Sequence, residues 1–361
     1  MRSFVLALLA IGGPAPGWTQ EHPQPGLLVR EIAPTDTLRL IGSRGASALR
    51  PPAGAPMLAF GALDGQEHEV LGGVTAVTAT PDGRILVLDE ANSVIRVLGP
   101  EGRYLGSVGR AGRGPGDFFH ARSLAVDAGG NLYVGDLLRR VQRFRPKAEG
   151  FELDTVLATR VSPDALCIMD STLVVHAVNP AVPGLIHLYD LRGRHLRSFG
   201  EAYRSPSEII NVHATMGKVA CLPRAGLIAY MPGGGIVREL RVYDRSGRTR
   251  RLSIVTGMRS NRLTETADGS RVRLAPEGNH YVATLLAMPD ERLLLQIGLM
   301  NERSRSAGLS HSELYTAVFD VDPAGRIAYG RDGPQVGAFV GTRPVFIVED
   351  PAPGITWEAR R

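Results

Sequence analysis

Residues Gly109–Phe144, GRAGRGPGDFFHARSLAVDAGGNLYVGDLLRRVQRF, decide how the rest of the chain is read. A glycine-rich corner leads into an apolar segment, Leu124–Val126. A tight turn at Gly129-Gly130 separates it from a second, Leu132–Val134, and a corner at Asp136 precedes a third, Val141–Phe144. Short apolar runs punctuated by glycine and aspartate predict strands joined by tight turns. Residues 78–97 align without a gap on residues 125–144, an offset of 47 that sets Asp89 on Asp136 and Val94 on Val141. A period of that length built only of strands is expected of a propeller blade of four antiparallel strands.

A second marker follows the hairpin between third and fourth strands. Gly102-Arg103, Gly193-Arg194, Gly247-Arg248 and Gly325-Arg326 each follow an apolar strand, and Glu149-Gly150 takes this place in the second repeat. Glycine there supplies the positive φ of a tight hairpin. A sixth unit holds only three strands, Ala338–Val340, Val345–Val348 and Ile355–Ala359. The segment Asp36–Gly42 is similar to the outer strand within Gly102–Gly109, so it is expected to supply the missing fourth strand and close the ring. The expected fold is all-β: a six-bladed β-propeller of four-stranded antiparallel blades, its last blade made of three C-terminal strands plus one N-terminal strand. The expected domains are a signal peptide (1–20), a leader holding the closing strand (21–56) and the propeller (57–361).

The glycine-rich corner, the Asp127–Asp136 core DAGGNLYVGD and the strand RVQRF resemble the NHL repeat. The chain is therefore similar to bacterial six-bladed β-propellers of the NHL-repeat-like family, over most of residues 57–361 and most closely in the first two blades. The resemblance implies the fold and no particular activity.

With 43 Gly and 25 Pro in 361 residues, the composition suits many short strands. The formal net charge is +5, carried almost entirely by arginine: Lys147 and Lys218 are the only lysines. Arginines spread through the strands predict a salt-bridged surface and no nucleic-acid stripe. Arg2, the apolar run Phe4–Ile11 and the small residues through Gly17 have the three-part shape of a secretory signal, too short for a permanent membrane span. The mature protein is expected to be exported, periplasmic or extracellular, monomeric and without an integral membrane segment. Cys167 and Cys221 lie 54 residues apart, as do the hairpin glycines Gly193 and Gly247, and so occupy matching positions in neighbouring repeats. Stacked sheets about 10 Å apart hold matching side chains beyond disulfide reach, so two free thiols are expected.

Long connections at residues 177–184, 200–217, 257–279 and 298–313 all fall between second and third strands or between blades, on one face of the ring. Long loops on a rigid scaffold are where binding resides. The candidate ligand-binding residues near that face are His120, Arg122, Arg139, His176, His213 and His280. Converging imidazoles suit zinc, and the corner carboxylates Asp89, Asp136 and Asp350 suit calcium. No HxH, HExxH or CxxC spacing supports a metal, however, and recurrent aspartates are expected to cap turns. Arg110, Arg113, Arg122, Arg139 and Arg140 are expected to pair with Asp117, Asp136 and Glu90 rather than to form an anion site. Ser310-His311-Ser312 reads as polar loop, and no Gly-x-Ser-x-Gly elbow is present. The expected function is a non-enzymatic binding or scaffold module without a cofactor, recognising a peptide, glycan or partner protein. The alternative is a zinc- or calcium-dependent lyase or lactonase-like hydrolase acting at the mouth of the central channel.

Overall fold

The computed structural model describes residues 20–21, 36–42, 49, 55–179, 181–203, 207–256, 263–265, 272–274, 279–300, 313–321, 326–331 and 334–359. The apolar run Phe4–Ile11, the Ser310-His311-Ser312 cluster and most of the connections at 257–279 and 298–313 lie outside them.

Six four-stranded antiparallel blades follow one another around a ring. From inner to outer strand, blade one is Val74–Ala79, Ile85–Asp89, Val94–Leu98 and Tyr104–Val108. Blade two is Ser123–Val126, Leu132–Asp136, Arg140–Pro146 and Phe151–Ala158; blade three is Ala165–Met169, Thr172–His176, Ile186–Asp190 and His195–Phe199. Blade four is Gly217–Leu222, Leu227–Pro232, Glu239–Asp244 and Thr249–Thr256; blade five is Asn279–Ala287, Leu293–Met300, Glu313–Phe319 and Arg326–Arg331. Blade six joins Gln335–Val340, Arg343–Val348 and Gly354–Glu358 to Met57–Phe60.

The repeat read from the sequence is also the repeat in space. Thr78 pairs with Leu86 as Ala125 pairs with Tyr133, each pair offset by 47. The outer hairpins turn where glycine was expected to turn them: Gly102, Gly150, Gly193 and Gly247 have φ between 81° and 87°. Both faces of a blade meet another blade, so the middle strands are the most buried: all five residues of Ile85–Asp89, Val94–Leu98 and Leu132–Asp136 are buried. Outer strands such as His195–Phe199 are not, which is why their patterning is weaker. The core is accordingly a set of slabs between adjacent blades. One packs Phe60, Val77, Ile85, Val345, Ile355 and Trp357 across the seam between first and last blades.

Closure follows the expected three-plus-one plan with a different strand. Met57–Phe60 pairs antiparallel with Gly354–Glu358, burying Phe60 and Trp357, whose indole nitrogen donates to the Pro100 carbonyl at 3.4 Å. The expected closing strand, Asp36–Gly42, instead runs parallel to the outer strands of blades four and five and lies between them, joining the two into one nine-stranded sheet. Two outer edges face each other there, and one strand satisfies the unpaired backbone groups of both. Leu38 is fully buried with Leu240, Val255 and blade-five residues such as Leu293. The resemblance to an outer-layer strand was sound; the blade was wrong.

The expectation of two free thiols is also overturned: Cys167 and Cys221 form a disulfide with a Cα separation of 5.7 Å. The positions do match between neighbouring blades, but both lie on innermost strands, which converge towards the axis. The spacing of stacked sheets applies further out on each blade. Gln20–Glu21, Leu263–Glu265 and Val272–Leu274 form a small separate sheet. No helix among the described residues is long and apolar enough to cross a membrane.

Candidate functional site at the channel mouth

One face of the ring carries the longer connections, and there the link into blade four folds into a helix, Glu208–Thr215. Ser207 caps its first turn, its hydroxyl accepting from the Ile210 amide at 3.3 Å. Ile210 and Ala214 pack on Tyr203, Ile236 and Val237, which docks the helix on the neighbouring loop of blade four. Its last residue is a junction. The Thr215 hydroxyl donates to the Asn211 carbonyl at 2.6 Å and accepts from the Tyr203 amide at 2.9 Å. The Thr215 carbonyl accepts from Tyr230 at 2.5 Å and lies 3.2 Å from His176 Nε2.

Below this junction three charged residues occupy one structural position in successive blades, at the start of the innermost strand. The Arg122 amide donates to Gly135 at 2.9 Å, and the Asp164 amide donates to His176 in the same way at 2.9 Å. Asp164 and Lys218 are 54 residues apart, the spacing that also relates Cys167 to Cys221 and the strand pair Ala165↔His176 to Val219↔Tyr230. Arg122 Nη1 donates to Asp164 Oδ1 at 3.2 Å. Burial raises the Asp164 pKa, and the Arg122 and Lys218 charges oppose that rise.

Lys218 is exposed to solvent, yet the surrounding chain desolvates its ammonium and lowers its pKa, with Asp164 pulling the other way. Solvent contact and a protein-walled environment coincide where a side chain faces an open channel, and an innermost strand supplies that position. The arrangement sets two cations around one acid in a walled space on the long-loop face. It can hold an anionic or hydrogen-bonding ligand.

The sequence candidates are dispersed around this centre. Arg122 belongs to it, and His176 lies beside it, its carbonyl accepting from the Asp164 amide: the ring is fully buried, its Nδ1 finds no hydrogen-bond partner among the described residues, and burial pushes its pKa down to about 3. His120 lies 3.3 Å from Glu90, between blades one and two, with its ring edge against Phe119. Arg139 is exposed in the corner of blade two at φ 55°, and its carbonyl accepts from the Thr159 amide. His213 sits in the last turn of the helix, and His280 is buried in blade five beside Tyr315. Among the described residues no group of three His, Cys, Asp or Glu side chains is placed to hold a metal ion.

The corner carboxylates cap turns and bind arginine. Asp136 accepts from the Leu138 amide and from Arg140 Nε at 2.9 and 2.8 Å, and Asp89 accepts from the Gly72 amide and Asn92. Arg110 pairs with Asp117, while Glu90, expected to meet an arginine, faces His120 instead. A polar chain in blade three, running from the buried His187 through Ser198 to His195 on the partly exposed outer strand, was not foreseen: Ser198 Oγ lies 2.7 Å from His187 Nδ1 and 2.8 Å from His195 Nε2. An open cleft bordered by Pro81, Gly83, Thr342 and Arg343 lies on the opposite, short-turn face, away from these groups.

Residues 58–148 match a family described as a 6-bladed beta-propeller. No curated protein matches the chain. Among solved structures, an exported-protein candidate from Bacteroides fragilis is 11% identical, with 90% of this chain and 99% of that one covered and a TM-score of 0.54. The WD40 repeats of RRP9 are 12% identical, with 86% and 100% covered and a TM-score of 0.54. Virginiamycin B lyase from Staphylococcus aureus is 10% identical, with 85% and 99% covered and a TM-score of 0.50. At such identities the likeness is one of fold. The chain is a six-bladed propeller, similar in architecture to proteins as different as a lyase and a WD40 repeat domain.

Proposed function

We propose that the chain is an exported, non-enzymatic binding module that holds a peptide, glycan or partner protein against its long-loop face, over the channel mouth. The observation that carries this reading is the placement of Arg122, Asp164 and Lys218 at one level of adjacent innermost strands, beneath the helix Glu208–Thr215. The disulfide supports an oxidising compartment, the apolar run Phe4–Ile11 supports export, and the exported-protein candidate from Bacteroides fragilis shares the fold. The resemblance of the first two blades to the NHL repeat is compatible with a recognition role. No metal belongs to this reading, because two cations beside one carboxylate repel a dication.

Peptide and glycan arrays probed with the purified chain test it. A ligand retained by Arg103→Glu, an exposed change on the short-turn face, and lost by Arg122→Glu/Lys218→Glu supports the reading. Loss in both variants, or binding to nothing on either array, overturns it.

A further inference from the structure

We infer that Lys218 is an anchor for a carboxylate, carried by a small organic acid or by the end of a peptide, and that Asp164 and Arg122 set the charge that selects it. The inference rests on the channel-mouth reading and names the ligand chemistry for that site. Three observations lead to it.

The first is a charge count. Asp164 is already engaged by Arg122 at 3.2 Å, so this pair is internally balanced. Lys218 feels Asp164 through space, but among the described residues its ammonium makes no hydrogen bond or ion pair of its own. One positive charge is therefore left over, with three N–H donors on an exposed side chain. Its exposure makes it available, and the protein wall around it strengthens its field.

The second is selectivity by charge. A carboxylate brings one negative charge, which balances the surplus and leaves Asp164 in its pair with Arg122. A phosphate dianion would overshoot by one charge, beside a carboxylate whose burial already disfavours the ionised form. Neutral groups would leave the ammonium unmatched.

The third is rigidity. Cys167 and Cys221 stand three residues along the same strands from Asp164 and Lys218, and their disulfide joins those strands covalently. Asp164 is held further by the hydrogen bond from its amide to His176 and by Arg122. The spacing of the acid and the amine is thus set before any ligand arrives, which removes an ordering cost from binding.

The test is a calorimetric titration of the full chain with four probes: acetate, N-acetyl-Ala-Ala as the free acid, the same dipeptide as its C-terminal amide, and inorganic phosphate. Wild type is expected to bind the free-acid dipeptide and to reject the amide and phosphate. Lys218→Met should weaken binding by about ten- to a hundredfold, the scale of one charged hydrogen bond, and Lys218→Arg should restore most of it. Unchanged circular dichroism and melting temperature establish that both variants fold. Acetate binding as tight as the dipeptide's identifies a small-acid site; binding of the dipeptide alone identifies a chain-end site, and either supports the inference. Equal binding of acid and amide, preference for phosphate, binding of no probe, or an unaffected Lys218→Met overturns carboxylate recognition. The array outcome for the whole face is read separately, so a ligand lost in Arg122→Glu/Lys218→Glu with no carboxylate preference leaves the binding module standing without this anchor.

Discussion

Acidification from pH 7 to pH 5 should cost this protein stability in proportion to two buried imidazoles. His176 and His187 are both fully buried, each with one ring nitrogen lacking a partner among the described residues. Burial is the main cause of their lowered pKa values, about 3 for His176 and about 4 for His187, and neighbouring positive charge adds to it: His187 and Lys218 for the first, His195 for the second. An unfolded chain returns both to about 6.5. Between the folded and unfolded values the unfolded state binds more protons, so stability rises with pH and falls on acidification. The full contribution is present above pH 6.5. At pH 5 each imidazole has forfeited about 2 kcal/mol, roughly 4 kcal/mol for the pair. Urea unfolding at the two pH values, extrapolated to water, reads this directly. The lowered carboxylates, such as Asp190 and Asp244, titrate below the window, whereas Asp164, raised by burial, works in the opposite sense. Comparison with His176→Gln/His187→Gln cancels these shared terms and isolates the imidazoles. A double variant that loses as much stability on acidification as wild type would refute the account.

The disulfide closes a 54-residue separation, and loop entropy values such a link at about 4 kcal/mol, so Cys167→Ser/Cys221→Ser should lower unfolding stability by up to that amount. An unchanged urea midpoint, or no mobility shift of wild type on reduction in a denaturing gel, would contradict the pairing. Asp136→Ala strips the turn amide of Leu138 and leaves Arg140 buried without its carboxylate; the expected loss is about 3–5 kcal/mol, measured by thermal or urea unfolding. A loss under about 1 kcal/mol would show that the carbonyls of Arg113, Gly114 and Asp117, which also accept from Arg140, suffice to hold it.

The blades were legible because their central strands are buried on both faces. Ile85–Asp89 and Leu132–Asp136 therefore read as continuous apolar runs, and the hairpin glycines mark where each blade turns back. The closing strand was harder: Met57–Phe60 is four residues long, with one side chain buried, and carries less pattern than Asp36–Gly42. Which blade an isolated strand joins depends on which edges are left open, a property of the assembled ring. The site was legible in part. Arg122 and His176 stood out by residue type, whereas Asp164 and Lys218 did not, although their 54-residue spacing repeats that of the two cysteines. That coincidence was available as a signal: equal offsets place four residues on two adjacent strands. The rule for stacked sheets hid it, because convergence at an axis brings innermost strands nearer than that rule allows.

Asp36–Gly42 and Met57–Phe60 emerge early in synthesis, yet their partners reach as far as Arg326–Arg331 and Gly354–Glu358. A growing polypeptide cannot finish this architecture from its own first half. Asp36–Gly42 gains one neighbour only with Thr249–Thr256 and its second with Arg326–Arg331, and Met57–Phe60 waits for Gly354–Glu358. Until Gly354–Glu358 is made the ring stays open to chaperones, and its closure adds the final cooperativity in one late event.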